Sequence, residues 1–279
     1  MASIKTLKSL DISSVTIMVT AISIVFAIIF SIILLIAFGI ISSAYVGIMA
    51  VIVPTVICGT IIVSIYHTFI ESFLYNLIAK KTAIVFAFEE DGSISKISTT
   101  STAIICAIIV TVLLIIEYLV GIVLIPLLLS SAVQTLMLSG QSQMAFTLYQ
   151  MIMMISNPTF SIGIIVGAFI GTFIYILIGT YVYNYIAGKG YPIEVRIKDN
   201  NTLESIDIKS FATAIAIISA VLGLISGLLS LASGGNILSI IISVIVEFIL
   251  GFIIATIIGL LYNKLGPNVG KIKFELIDE

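Results

Sequence analysis

The chain has 279 residues, of which 60% are hydrophobic and only 9% are charged, and its formal net charge is −2. A soluble domain carries roughly 25% charged residues, so this chain lacks the polar groups that a water-facing surface needs. The composition therefore predicts a polytopic membrane protein. No basic cluster is dense enough to indicate nucleic-acid binding.

Six long apolar runs follow one another along the chain, and each exceeds the ~20 residues that cross a bilayer as a helix. Helices are expected because backbone polar groups must pair internally in lipid. The predicted spans are Val15–Ile41, Val51–Ile78, Ala103–Leu129, Phe160–Ala187, Phe211–Ala232 and Ile237–Leu265.

The positive charges are confined to alternate connections. All Lys and Arg lie within segments 5–8, 80–96, 189–209 and 264–273, while the connections Ser42–Met49, Ser130–Asn157 and Ser233–Asn236 carry none. Cytoplasmic loops concentrate Lys and Arg. The asymmetry predicts a multi-pass protein of the cell membrane with both termini in the cytoplasm.

The second outer connection, Ser130–Asn157, is long enough to hold a helix of its own. Met144, Leu148 and Met151 fall on one helical face, and Gln143 falls on another. This pattern predicts an amphipathic helix at the membrane interface.

A Tyr-Asn pair ends every second span. Nine or ten residues after each Tyr a segment begins in which apolar residues alternate, as in a strand with one buried face. The pairs are Tyr75-Asn76, Tyr183-Asn184 and Tyr262-Asn263, and the following strands are predicted at 84–88, 193–197 and 272–276. Tyr suits the headgroup level, and Asn suits a helix C-cap.

A second shared segment precedes the odd-numbered spans, and we refer to its copies as the leading segments. They are Leu7–Ser14, Ile94–Ser101 and Leu203–Ser210. The chain is therefore predicted to contain three tandem copies of one unit, at 1–88, 89–197 and 198–279. Each unit has two spans, so all copies insert in the same direction, unlike the inverted repeats of many transporters.

The predicted fold is an all-α polytopic membrane protein, with six transmembrane helices as three parallel two-helix repeats and a small cytoplasmic β layer. Asp91-Gly92 predicts a hairpin turn between the first two units, and 198–201 plays the same part between the next two. If the layer closes, Lys271–Ile277 pairs with the N-terminal segment near Ile4–Leu7. The spacing of three in the leading segments fits a regular strand poorly.

The unit resembles an uncharacterised family of two-span transmembrane domains, whose members end in a similar Leu-Tyr-Asn signature followed by a short strand. The resemblance is carried by Leu74-Tyr75-Asn76, Val182-Tyr183-Asn184 and Leu261-Tyr262-Asn263, with the strands after them. It covers most of the chain three times over. The family has no assigned activity, so the resemblance implies an architecture and no chemistry.

Four ionisable residues lie within the predicted spans: His67, Glu71, Glu117 and Glu247. An ionised acid at mid-helix costs about 2.5–3.5 kcal/mol on insertion scales. One hypothesis is a proton or cation path, with Glu117 and Glu247 in the middle and His67 with Glu71 on the inner side. The alternatives are a buried hydrogen-bonded set that fixes helix register, and contact with a partner subunit.

Small residues recur at intervals of four in the fourth span, at Gly163, Gly167 and Gly171. Such spacing lets helix backbones approach closely. It predicts packing within the bundle or, alternatively, formation of a homo-oligomer through this span.

No Ser/His/Asp set, phosphate-binding loop or paired zinc motif occurs in the sequence, so we expect neither an enzyme nor a cofactor or metal site. The leading prediction is a structural or accessory protein of the bilayer that organises protein partners or lipids. The alternative is a small proton- or cation-linked channel or transporter that uses the intramembrane Glu and His residues.

Overall fold

The structure is a computed structural model, and it describes residues 3–41, 44–199 and 201–278. Ser42 and Ser43 of the first predicted outer connection and Asn200 of the second predicted turn lie outside these residues. In chain order the elements are β1 (Ser3–Leu10), α1 (Ile12–Ile41), α2 (Ala44–Ile78), β2 (Ile84–Phe88), β3 (Ser93–Ile97), α3 (Thr99–Leu138), α4 (Ser142–Ile155), α5 (Pro158–Ala187), β4 (Ile193–Lys198), β5 (Thr202–Ile206), α6 (Ile208–Ala232), α7 (Ile237–Val269) and β6 (Phe274–Asp278).

Six of the helices described, α1, α2, α3, α5, α6 and α7, are long and apolar enough to cross a membrane. The prediction of a polytopic helical protein is confirmed at this level. α3 is the exception in length, because its 40 residues at 1.5 Å each measure roughly 60 Å. The helix therefore continues to Leu138, beyond Leu129, the predicted end of the span.

The chain divides into two compact units, one formed by Met1–Thr102 with Ile176–Glu279 and the other by Ala103–Tyr175. In the first unit, α1 packs against α2, α6 packs against α7, and α1 also contacts α7. The whole sheet belongs to this unit.

In the second unit, Ala145 of the short helix α4 is fully buried, and Leu148, Ile152 and Ile155 are half-buried. Met144 and Met151 are exposed. The inward face of α4 is therefore offset from the predicted apolar face.

The strands form one sheet in the order β5-β4-β3-β2-β1-β6, with antiparallel pairing throughout. The sheet curls into a small half-barrel whose edge strands β5 and β6 meet at a bridge between Thr202 and Lys273. The amide of Leu203 donates to the Ile272 carbonyl at 3.0 Å at the same place. The predicted pairing of the C-terminal strand with the N-terminal segment is confirmed by the register of β1 against β6.

The leading segments are strands, although their spacing of three obscured this in the sequence. β1, β3 and β5 each show a register shift against a neighbour, which skips Lys8, Ser95 and Glu204, respectively. A bulge places one extra residue in a strand. It explains how apolar residues three apart, such as Leu7 and Leu10, belong to one strand.

The predicted Asp-Gly turn joins β2 to β3. The Glu89 amide donates to Ser93 O at 2.9 Å, and Gly92 has a φ of 87°, a conformation that glycine adopts without strain. The Asp91 carboxylate accepts from the Ser93 hydroxyl and amide, and these hydrogen bonds lower the pKa of Asp91.

The Asn of each Tyr-Asn pair binds the last residue of a strand. The amide oxygen accepts from that residue's N–H and the amide nitrogen donates to its carbonyl, so the side chain acts as a short piece of neighbouring strand. The pairs are Asn76 with Leu10 (2.7 and 2.8 Å), Asn184 with Ile97 (2.8 and 2.8 Å) and Asn263 with Ile206 (3.0 and 2.8 Å).

The Tyr of each pair donates its hydroxyl to a carbonyl three residues earlier in the same strand: Tyr75 to Leu7, Tyr183 to Ile94 and Tyr262 to Leu203. The rings are only 4%, 2% and 2% exposed. These tyrosines are therefore not anchors with a water-exposed hydroxyl group at the headgroup level. They fasten the helix ends to the sheet.

Tyr183 and Tyr262 also join two strands. Their hydroxyls accept from the amides of Ile193 in β4 and Ile272 beside β6, at 3.1 and 3.3 Å. Ile193 is the register partner of Ile94. The hydroxyl of Tyr183 therefore sits at the point where β3 and β4 meet.

Ion pairs on both sides hold β6 and the segment that leads into it. Lys8 of β1 contacts Glu275 at 2.9 Å, and Lys271 contacts Glu204 of β5. The hydrogen bond from Lys8 lowers the pKa of Glu275, and the hydrogen bond from Lys271 lowers the pKa of Glu204.

We expect Tyr183→Phe to lower the free energy of unfolding by about 1–3 kcal/mol, because the Ile94 carbonyl and the Ile193 amide both lose a buried partner. Tyr185→Phe is the matched control, since Tyr185 is 63% exposed and its change is expected within about 0.5 kcal/mol. Equilibrium unfolding in detergent measures both. Equal effects of the two substitutions would contradict the assigned role.

We also expect acid to loosen β6. The folded pKa values of Glu275 and Glu204 lie below the ordinary 4.5, so their stabilisation is present above that pH and is lost as the pH falls through the folded values. Amide hydrogen exchange in β6, corrected for intrinsic rates, should accelerate in this window. The acid-dependent part should disappear in a Glu204→Gln/Glu275→Gln double variant and persist in Glu194→Gln.

Candidate functional site

The ionisable residues of α2 lie together on an outer face of the first unit. His67 Nδ1 is 4.0 Å from Glu71 Oε1, and the side chains are 38% and 49% exposed. The ring of Tyr66 meets His67 edge-on at 5.4 Å. Phe69 and Phe73 are 51% and 49% exposed, so the pair is set in an apolar surface.

Glu247 lies on α7 at the exposed edge of the contact with α6. Its Cβ and Cγ cover Gly223 of α6, where an added Cβ would stand 2.9 Å from each of them. The residue itself is exposed, and its neighbours Val246 and Phe248 are each 43% exposed. Among residues 3–41, 44–199 and 201–278, the Glu247 carboxylate makes no hydrogen bond or ion pair.

Glu117 belongs to the second unit, where it is half-buried on α3. Of the four predicted site residues, the structure shows His67 and Glu71 in contact. Within the described part of the chain, no group of three or more His, Cys, Asp or Glu residues could hold a metal ion.

Three hydroxyls on α1 were not singled out from the sequence. The Oγ atoms of Thr16, Thr20 and Ser31 are buried without a hydrogen-bond partner among the described atoms. Other intramembrane hydroxyls bond back to their own helix, as Thr68 does to Ser64 O at 2.7 Å. The spacing of four between Thr16 and Thr20, which places them on one face, was the available signal.

Glycines of α6 and α7 bring these two helices into close contact. An added Cβ at Gly227 would lie 2.7 Å from Ile240 Cα, and one at Gly251 would lie 2.5 Å from Ser219 Oγ. Both glycines are buried. No larger residue fits at either position without movement of the neighbouring helix.

The glycines of the predicted stripe on α5 differ from those of α6 and α7. Gly163, Gly167 and Gly171 are exposed. Outside the helix's own backbone, no described atom lies within 4 Å of a Cβ added at any of the three. Within the second unit they therefore make no close helix contact.

Comparison of the chain with protein-family models, with curated proteins and with solved structures gives no match. The family resemblance therefore rests on the Tyr-Asn motif and the strands that follow it.

We expect Gly227→Ala to lower the free energy of unfolding by about 1–3 kcal/mol, because the new methyl group overlaps the backbone of α7. Gly167→Ala should leave it unchanged or raise it by up to about 1 kcal/mol through helix propensity. Unfolding of both variants in the same detergent provides the measurement. A larger loss at Gly167 than at Gly227 would refute the packing assigned to α6 and α7.

Proposed function

We propose that the protein is an accessory protein of the membrane whose outer helix faces bind the spans of partner proteins. The observation that carries this proposal is the position of Glu247, exposed among exposed apolar side chains of α7. A carboxyl group at this place faces either lipid or another protein.

Of these two environments, lipid is the unfavourable one for a carboxyl group. An acid near mid-span costs about 2.5–3.5 kcal/mol on insertion scales. A hydrogen-bond donor from a partner helix offsets part of this cost, at about 1–2 kcal/mol per interhelical bond in model peptides. Glu71 with His67 presents a second group of the same kind on α2.

A proton or cation path needs acids that face the bundle interior or a water-filled cavity. The exposure of Glu247, and that of the His67–Glu71 pair, supports partner contact over transport. The exposed stripe of Gly163, Gly167 and Gly171 is compatible with close approach of a further helix.

The proposal includes three tandem units and membership of the two-span family. Its support is that the same Tyr-Asn bonds and the same strand bulge recur three times, at matched offsets. It also includes an orientation with the sheet in the cytoplasm and the helices in the cell membrane. The support is that all twelve Lys and Arg residues fall in the strands or in the segments and helix turns next to them, as the positive-inside rule predicts.

Photo-crosslinking in the native membrane tests the partner proposal. A crosslinker at Val246, beside Glu247, should give a discrete adduct with another protein, and Glu247→Leu, which has no hydrogen-bonding group, should reduce its yield by roughly tenfold, as loss of an interhelical bond of 1–2 kcal/mol implies. A crosslinker at Ala255, which is 1% exposed, is the control and should give no adduct.

Two results would count against partner contact. One is an adduct at Val246 that Glu247→Leu leaves unchanged. The other is a proton or cation flux through the purified protein in proteoliposomes that Glu247→Gln abolishes, since this would place the carboxyl group on a conduction path.

A further inference from the structure

The C-terminal end of α5 carries exposed tyrosines on the side that faces away from the sheet. Tyr181 and Tyr185 are 70% and 63% exposed, whereas Tyr183 between them is buried and bound to β3. Tyr181 and Tyr185 are four positions apart, so they lie on one face of the helix. Within the described chain their hydroxyl groups make no hydrogen bond, which leaves both hydroxyls free to bind a ligand.

Lys189 extends this face just beyond the end of α5. Its ammonium group lies 5.7 Å from the centre of the Tyr185 ring, which is a cation–π contact. Lys189 is exposed, and no carboxylate of residues 3–41, 44–199 and 201–278 forms an ion pair with it. We refer to Tyr181, Tyr185 and Lys189 as the tyrosine–lysine face. Its positive charge is not neutralised within the described chain.

The backbone turn after α5 holds Lys189 in this position. The amides of Lys189 and Tyr191 both donate to the Ile186 carbonyl, at 3.0 and 3.1 Å, and Gly190 has a φ of 95°, which glycine adopts without strain. The Gly190 amide donates to the Ala187 carbonyl at 3.1 Å. Unpaired carbonyl groups at a helix end repel an anion, and the turn pairs two of these groups.

The length of α5 determines which anion meets the tyrosine–lysine face. Its 30 residues measure roughly 45 Å, which equals the thickness of a bilayer with its headgroups. The candidate span ends at Ala187, so the last turns of α5 lie at headgroup depth. At that depth the ligand is a lipid phosphate, whose oxygens accept hydrogen bonds from hydroxyl and ammonium groups.

The tyrosines distinguish this face from an ordinary lysine beside a span. Lys81 follows Tyr75 by six residues, as Lys189 follows Tyr183, and Lys81 is exposed as well. Four residues before Lys81 stands Leu77, which has neither an aromatic ring nor a hydroxyl group. The chain therefore offers a matched control, with the same charge at the same offset and no tyrosine next to it.

We infer that the tyrosine–lysine face binds one phospholipid with an anionic headgroup, whose phosphate pairs with the Lys189 ammonium group and accepts hydrogen bonds from the tyrosine hydroxyls. This site is on a different helix from Glu247, and it is independent of the proposed partner contacts.

NMR of ¹³C-labelled tyrosine rings in the intact protein, in an uncharged detergent, tests the inference. Dioleoyl phosphatidylglycerol should shift the Tyr185 ring resonances in a saturable manner. Its affinity should be about fivefold higher than that of dioleoyl phosphatidylcholine, as the attraction of one basic residue to anionic lipid implies. Tyr149, which is 48% exposed on α4, reports general uptake of lipid and should shift only linearly. Equal affinities for the two lipids would overturn the inference.

Two lysine variants locate the charge that is responsible. Lys189→Gln should remove the difference between the two lipids, whereas Lys81→Gln should preserve it. A difference that persists in Lys189→Gln contradicts the site. An equal loss in both variants contradicts it too, because that result indicates a general attraction of anionic lipid to the cationic side of the protein.

Tyr185→Leu tests the aromatic part, since it reproduces the Leu77–Lys81 arrangement at an exposed position. It should weaken the binding of phosphatidylglycerol about two- to fivefold, as loss of an exposed cation–π contact implies. The Tyr181 ring provides the measurement in this variant. Unchanged affinity would show that the tyrosine ring takes no part in binding and would refute the site as proposed.

Discussion

Each strand that precedes a pair of long helices is held in place by an Asn side chain near the C-terminal end of the second helix. That side chain makes hydrogen bonds in the manner of a strand backbone. The chain leaves the sheet, passes through two long helices and returns with an Asn amide that pairs with both polar groups of the strand's last residue. A buried Tyr hydroxyl takes a second carbonyl of the same strand. Buried backbone groups must be paired, so these side chains supply the hydrogen-bond partners that a further strand would otherwise have to provide. The bonds hold the C-terminal ends of α2, α5 and α7 against the sheet.

The spans and the returning strands could be predicted because their signals are local. Hydropathy over some twenty residues finds a span, and alternation over five finds β2 or β4. The strands of the leading segments were harder, since the bulge at Lys8 and its counterparts breaks the alternation on which the prediction depends. The length of α3 was missed because the apolar run weakens after Leu129 while the helix continues to Leu138.

The Tyr-Asn pairs could be located in the sequence, but the contacts that they make could not be predicted from it. Their partners in the preceding strands are backbone atoms 57 to 89 residues away, and no side-chain pattern reports on those atoms. The glycines show the same limit. Gly167 and Gly227 stand in similar apolar helices, yet within its own compact unit only Gly227 contacts a neighbouring helix. Which face of a helix meets another is a property of the fold. Likewise, the sequence places Glu247 within a predicted span, and only the structure shows it exposed at the edge of the contact between α6 and α7.

The pairing of β1 with β6 has a consequence for biosynthesis. Among the described elements β1 is made before all the others and β6 after them, and Lys8 and Glu275 are 267 positions apart. At about 5–20 residues per second, β1 has one unpaired edge for roughly 10–50 s while the intervening helices insert. An unpaired strand edge is prone to pair with other chains. The side chains of Lys5 and Lys8 lie on that edge, and their positive charge disfavours premature pairing of the nascent chain with other chains.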